Sequence, residues 1–101
     1  VIKGYANTQD QLDLIYKLSN YIENDKFLSQ STAEILIDSN SIFSIKLRNY
    51  RFKILIGKLN NLDLKIKNFK AFYINALANQ ILNKYSVINL QLDNQVVCIK
   101  N

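Results

Sequence analysis

The chain has 101 residues, of which 49% are hydrophobic and 21% charged, and this fits one globular domain but not two. It contains no His, one Cys and two Gly. These counts exclude a His general base, an internal disulfide and a Gly-rich phosphate loop. The acidic residues are scattered, and no apolar run is long enough to span a bilayer. The composition therefore favours a binding or scaffolding domain and predicts no catalytic residue, metal site, cofactor or small-molecule substrate.

The chain is basic, with 13 Lys and Arg against 8 Asp and Glu and a net charge of +5. A surplus of this size suits nucleic acid, an anionic membrane surface or an acidic partner, and it also occurs as ordinary surface charge. The clustered basic stripe typical of a nucleic-acid binder is missing. Charge alone therefore assigns no partner.

Residues 8–24 are predicted to form a helix that Thr8 caps and Asn24–Asp25 ends. Its apolar residues share one face, and these are Leu14, Ile15, Leu18, Tyr21 and Ile22. Such a stripe is expected to pack on a core.

Three strands are predicted next, at residues 33–39, 42–47 and 51–56, as a meander. The apolar side chains of the second and third strands alternate with polar ones and are Phe43, Ile45, Leu47, Phe52, Ile54 and Ile56. The turn between them contains Asn49, a residue that tolerates the left-handed conformation.

After Gly57, residues 61–78 predict a second helix. Its core face is expected to hold Leu62, Ile66, Phe69, Tyr73, Ala76 and Leu77. A hairpin of residues 87–92 and 95–99 follows, turned at Asp93–Asn94, with Ile88, Leu90 and Leu92 on one face. The predicted class is α+β in the order α-βββ-α-ββ, with two helices packed on one mostly antiparallel sheet of about five strands.

The last strand is apolar on both faces, since Val96 and Cys98 point one way and Val97 and Ile99 the other. At a sheet edge such a strand invites another strand; in the sheet centre it is simply covered. The residues alone leave both positions open. If the strand is an edge, a proline at Val97 is expected to remove one backbone hydrogen-bond donor and weaken the binding of an added strand.

Two further features have both a structural and a functional interpretation. Cys98 lacks a His to activate it, so a buried structural thiol is expected. Aromatic residues lie next to Lys or Arg at residues 50–53 (YRFK) and 70–73 (KAFY), and such side chains can stack on bases. However, Phe52 and Phe69 also fit the core stripes. A small basic nucleic-acid-binding module is therefore kept as the alternative function.

Four segments resemble the C-terminal β domain of the FtsQ/DivIB family of bacterial cell-division proteins, in its Bacteroidetes form. They are residues 54–57 (ILIG), 62–73 (LDLKIKNFKAFY), 83–90 (NKYSVINL) and 94–98 (NQVVC). The first half fits more loosely, through residues 2–5, the first helix and Phe27. Asn49–Tyr50 stands where family members usually carry Gly.

The resemblance implies a non-enzymatic scaffold on the periplasmic side of the bacterial inner membrane. It further implies partners of the FtsB and FtsL type, no nucleic acid, and a last strand that accepts a strand from FtsB. Residues 1–101 are then expected to be one extracytoplasmic domain of a longer protein, whose transmembrane helix and POTRA domain are not in this sequence. Carried onto this chain, the partner-binding residues are Gln95, Val96, Val97, Cys98, Ile99 and Lys100.

Overall fold

The computed structural model describes residues 2–4, 9–92 and 95–100. Within them the helices are α1 (Gln9–Glu23), α2 (Lys26–Ser31) and α3 (Leu62–Ala78), and a 3₁₀ helix spans Leu82–Lys84. The strands are β1 (Ile2–Gly4), β2 (Thr32–Ile37), β3 (Phe43–Leu47), β4 (Lys53–Gly57), β5 (Tyr85–Asn89) and β6 (Val97–Lys100). The predicted α+β class and the order α-βββ-α-ββ are confirmed, with β1 and α2 as additional short elements. Two predicted features, the Thr8 cap and the Asp93–Asn94 turn, lie outside the described residues.

One sheet contains all the described strands, and their order across it follows the chain from β1 to β6. The pairs β1–β2 and β4–β5 are parallel, and the other three are antiparallel. The predicted meander is therefore β2–β3–β4, and the predicted hairpin is β5–β6.

The parallel pairs explain why the helices form a single layer. Strands β1, β2, β4 and β5 all run in one direction, because two antiparallel steps separate β2 from β4. Each parallel pair is joined by a helical crossover, and both crossovers step the same way along the sheet. Since such crossovers are right-handed, α1, α2 and α3 come to lie on the same sheet face.

The core lies between this helical layer and the sheet. A row of residues in register crosses the sheet through Ile35, Ile45, Ile54, Ile88 and Cys98. All four isoleucines are buried, as are Leu18, Ile22, Ile66 and Phe69 from the predicted helix stripes. The predicted core face of the second helix was wrong at Leu77, which is 51% exposed, and Leu92 is 53% exposed although Ile88 and Leu90 are buried. Tyr73 is half-buried.

Helix α2 closes the corner between α1 and β2. Asp25 caps it by accepting a hydrogen bond from the Leu28 backbone N–H at 2.9 Å, and Leu28 itself is fully buried. The same carboxylate forms an ion pair with Lys70 of α3. One acidic side chain therefore both starts α2 and ties it to α3.

We expect the Asp25 carboxylate to make the stability of the fold depend on pH in the acid range. Burial alone would raise the pKa of Asp25. Hydrogen bonds from Lys70, Leu28 and Phe27 and the charge of Lys70 outweigh burial and lower that pKa below its ordinary 3.8. A lowered pKa stabilises the fold above the unfolded value, and this contribution is lost as the pH falls through the folded one. In urea denaturation at pH 7, Asp25→Asn should lower the free energy of unfolding by about 1 kcal/mol. Asn still caps the helix, but the negative charge that pairs with Lys70 is lost.

That difference in the free energy of unfolding should shrink below about pH 4 and vanish at lower pH. The matched control is Glu23→Gln, which neutralises an exposed carboxylate two residues earlier. A loss at Asp25 that stays the same from neutral to acid pH would contradict this account.

Left-handed residues shape three connections. In the β4–α3 connection, Gly57 at the end of β4 and Asn61 have φ +80 and 55, and Gln80, just after α3, has φ 57. Ser41, in the β2–β3 turn, has φ 62 and accepts a hydrogen bond from the Gln11 side chain at 3.2 Å. Asn49, where the left-handed conformation was expected, does not adopt it. These connections place the strand ends without using the predicted residue.

Candidate docking edge

Strand β6 lies at the edge of the sheet and pairs only with β5 within the described residues. This settles the position that the sequence left open, because a central strand would have a neighbour on each side. The opposite edge is β1. The predicted partner-binding residues therefore include a strand with one free side.

The two faces of β6 have different environments. Cys98 is half-buried and packs against the core, as does Val96, the residue immediately before β6. Cys98 ends the row of core residues that crosses the sheet. Val97 and Ile99 point to the other face and are 39% and 53% exposed. One set of side chains therefore anchors the strand, as expected from the alternation, while the other leaves apolar surface in contact with solvent.

The flanking predicted residues contribute differently. Gln95 precedes β6 and is exposed, and Lys100 ends it and is also exposed. Lysine on an edge strand discourages aggregation, and β6 is only 4 residues long. These features limit uncontrolled pairing, but they leave the Val97–Ile99 surface uncovered.

A hydrogen bond shows which backbone groups of β6 are free. The Ser86 hydroxyl on β5 donates to the Ile99 carbonyl at 3.2 Å, so this carbonyl points towards β5. In an antiparallel pair, a residue that faces its neighbour directs both its N–H and its C=O there, and the next residue directs both away. The N–H and C=O groups of Cys98 therefore point to the free edge, whereas those of Val97 and Ile99 point to β5.

This geometry changes the expected effect of proline. At Val97 it would remove a donor that faces β5, and so it would damage the sheet itself. At Cys98 it would remove a donor that faces outward. Sequence reasoning missed this distinction because the alternation predicts which face a side chain takes, not which neighbour the backbone bonds.

The sheet face opposite the helices continues onto β6. One row in register crosses it through Leu36, Ser44, Leu55, Asn89 and Val97. A parallel row runs through Glu34, Lys46, Lys53, Val87 and Ile99. Both rows end on an exposed apolar side chain of β6. A strand added beyond β6 would extend these rows and cover the two side chains.

Cys98 has the chemistry of a structural thiol. It is a free cysteine and half-buried, less covered than the sequence suggested. Burial raises its pKa above the ordinary value, which lowers the fraction of reactive thiolate at neutral pH. Because Cys98 lies on the edge strand, the reactivity of its thiol can be used to detect a partner that docks there.

Two further observations concern metal binding and membrane-spanning helices. In the described ranges, no group of three acidic or cysteine side chains is placed to hold a metal ion. Among the described helices, none combines the length and the apolar character needed to cross a bilayer.

The structure is thus a single helical layer on a sheet whose last strand lies at an edge and exposes apolar side chains. The sequence model of the family described as FtsQ/DivIB, C-terminal related, matches residues 1–99. The chain therefore belongs to this family of bacterial cell-division proteins, and the resemblance found in its motifs is confirmed. No curated protein matches the chain.

Proposed function

We propose that this chain is a non-enzymatic docking domain of the cell-division complex, which accepts a strand from an FtsB-type partner along β6. The observation that carries the proposal is the free edge of β6, where Val97 and Ile99 are exposed beside outward backbone groups of Cys98. Family membership supplies the process, which is cell division. The proposal includes the periplasmic side of the inner membrane as the location and an FtsL-type protein as a second partner.

Strand addition suits the chemistry of this edge. Backbone hydrogen bonds to the outward groups provide affinity without regard to sequence, and alternate side chains provide specificity. Side chains of the added strand that lie beside Val97 and Ile99 should be apolar, because they meet exposed apolar surface. Those beside Cys98 face the helical layer and extend the core row.

The alternative of a nucleic-acid module receives less support. The aromatic side chains in residues 50–53 and 70–73 are used by the core, since Phe52 is buried and Tyr50, Phe72 and Tyr73 are half-buried and pack against it. Tyr50 and Tyr73 hydrogen-bond to one another through their hydroxyls at 3.1 Å. Their rings contact neighbouring aromatics rather than forming a flat exposed platform.

Protection of the Cys98 thiol tests the proposal directly. We expect an FtsB-type partner from the same organism to slow the alkylation of Cys98 by iodoacetamide, because the added strand covers this residue. If the docked form does not react, mass action slows the reaction about tenfold when the free partner is at roughly nine times its Kd. The rate is measured by mass spectrometry at about pH 8.5, where enough thiolate is present.

The control places the thiol elsewhere. Tyr16 lies on α1 and is 66% exposed, so the double variant Tyr16→Cys, Cys98→Ala carries its only thiol away from β6. Its alkylation rate should not respond to the partner. If Cys98 reacts at an unchanged rate while gel filtration shows the complex intact, the partner docks somewhere other than β6.

A further inference from the structure

The helical side of the domain carries a groove that β6 does not reach. Helices α2 and α3 enclose a groove of about 500 Å³ lined by Lys26, Phe27, Gln30, Lys70, Tyr73 and Ile74. We call this the α2–α3 groove. Phe27 and Tyr73 lie against one another in it, with ring centroids 5.1 Å apart. The groove shares Gln30 and Tyr73 with a smaller depression that includes Arg48 and Tyr50.

The outer side of the second half of α3, beside this groove, is mainly apolar, which is unusual for a helix surface. Ile74 is 68% exposed, more than any other large hydrophobic side chain described, and Leu77 is 51% exposed. Ala71 and Ala78 are exposed on the same part of the helix. A surface helix normally presents polar residues to water. An apolar exposed side next to an apolar groove indicates a surface that another element covers.

The charges around the groove indicate the chemistry of that element. Lys26, Lys70 and Arg48 are the charged residues that line the two depressions, and no carboxylate is among the described residues lining them. The nearby carboxylate of Asp25 is already bonded to Lys70 and to the Leu28 backbone N–H. An occupant with acidic side chains would therefore meet a surplus of positive charge. A second copy of this chain would instead add another net charge of +5.

The shape favours a helix over a strand. Ala71, Ile74 and Ala78 follow the i, i+3, i+7 spacing of one helix face, and the two alanines leave room for close approach on either side of Ile74. We propose that the α2–α3 groove, together with the exposed side of α3, docks an amphipathic acidic helix of a partner protein. Its apolar side chains occupy the groove between Phe27 and Ile74. Its carboxylates meet Lys26 and Arg48, while Lys70 stays paired with Asp25.

The probe for this surface is a synthetic peptide of about 18 residues, long enough to form an isolated helix. Its Leu residues are spaced so that they share one face of the helix, and Glu residues flank that face. A second peptide carries Lys in place of each Glu. Binding is followed by fluorescence anisotropy, and the contacted residues are located from amide chemical shifts of the labelled domain. The Glu peptide should bind and shift the amides of α2 and the second half of α3. At the same concentration the Lys peptide should not bind.

Matched variants identify the groove. Ile74→Glu should weaken Glu-peptide binding at least about tenfold, and Lys26→Glu should weaken it in the same direction. Tyr16→Glu is the control. It adds the same negative charge as Ile74→Glu, but on α1, where Tyr16 is 66% exposed. Its peptide affinity should equal that of the parent. Cys98→Pro should also leave the affinity for the Glu peptide unchanged. This result would show that the groove is a different site from the β6 edge.

Three results would overturn the proposal. The first is equal weakening by Ile74→Glu and Tyr16→Glu, which would mean non-specific attraction. The second is equal binding of the two peptides, which would remove the role of charge. The third is a concentration-dependent dimer of the parent chain in sedimentation that Ile74→Glu abolishes, because the occupant would then be a second copy.

Discussion

Replacing Phe69 by Ala should destabilise the domain by about 3–5 kcal/mol, the range measured when a buried phenylalanine is truncated in a core. Phe69 is completely buried, and its ring lies 5.8 Å from that of Tyr73 and 6.4 Å from that of Phe27. Its contact with Phe27 joins α3 to α2. Truncation would leave a cavity between the helical layer and the sheet. Domains of this size are stable by only about 5–15 kcal/mol, so the loss is a large part of the total.

Urea denaturation followed by circular dichroism measures this loss. Lys67→Ala is the control, because Lys67 is exposed on the same helix, and its effect should stay within about 0.5 kcal/mol. If Phe69→Ala does not fold at all, Phe69→Leu keeps most of the volume and should cost about 1–1.5 kcal/mol. Unfolding midpoints for both Phe69 variants equal to that of the parent would show that the assigned helix face is wrong.

The sequence predicted the long elements well because their apolar residues repeat with a clear period. Alternation assigned Ile45 and Ile54 to the buried sheet face, and both are completely buried. The helical stripe failed at Leu77 because a helical wheel gives the direction of a side chain but not how far the core extends. Leu77 lies in the last turn of α3 and lines a surface depression with Gln80 and Asn83.

Short and non-local features were harder to predict. Helix α2 has 6 residues, which is too few for a period to show, and its available signal was Asp25 as a cap three residues before buried Leu28. The left-handed conformation was expected at Asn49, but besides Gly57 it occurs at Ser41, Asn61 and Gln80, since several residues in the chain tolerate it. Local preference does not choose between them.

The candidate site was also only partly predictable, because the edge position of β6 does not follow from local sequence. The sequence identified an apolar last strand, but strand order depends on the parallel pairings β1–β2 and β4–β5, which helical crossovers create. The direction of each backbone donor depends on the register with β5, where a bulge lies between Tyr85 and Val87. Neither the order nor the bulge has a local sequence signature, so an apolar last strand was predictable, but its edge position and backbone geometry were not.

The register leads to the second large effect, a loss of partner binding in Cys98→Pro without a loss of the fold. Proline is tolerated on an edge strand when its missing N–H would have faced solvent, and the Cys98 N–H points to the free edge. The isolated variant should therefore melt within a few degrees of the control Cys98→Ala, which removes the thiol but keeps the N–H.

Docking of the FtsB-type partner should nevertheless weaken in Cys98→Pro, because the added strand loses one hydrogen bond and meets the proline ring. A loss of about 1–3 kcal/mol corresponds to roughly 5–150-fold in Kd, measured by isothermal titration against Cys98→Ala. Val97→Pro provides the opposite control, since the Val97 N–H faces β5 and its loss should destabilise the isolated domain. Equal partner affinities of Cys98→Pro and Cys98→Ala, with both folded, would rule out β6 as the docking edge.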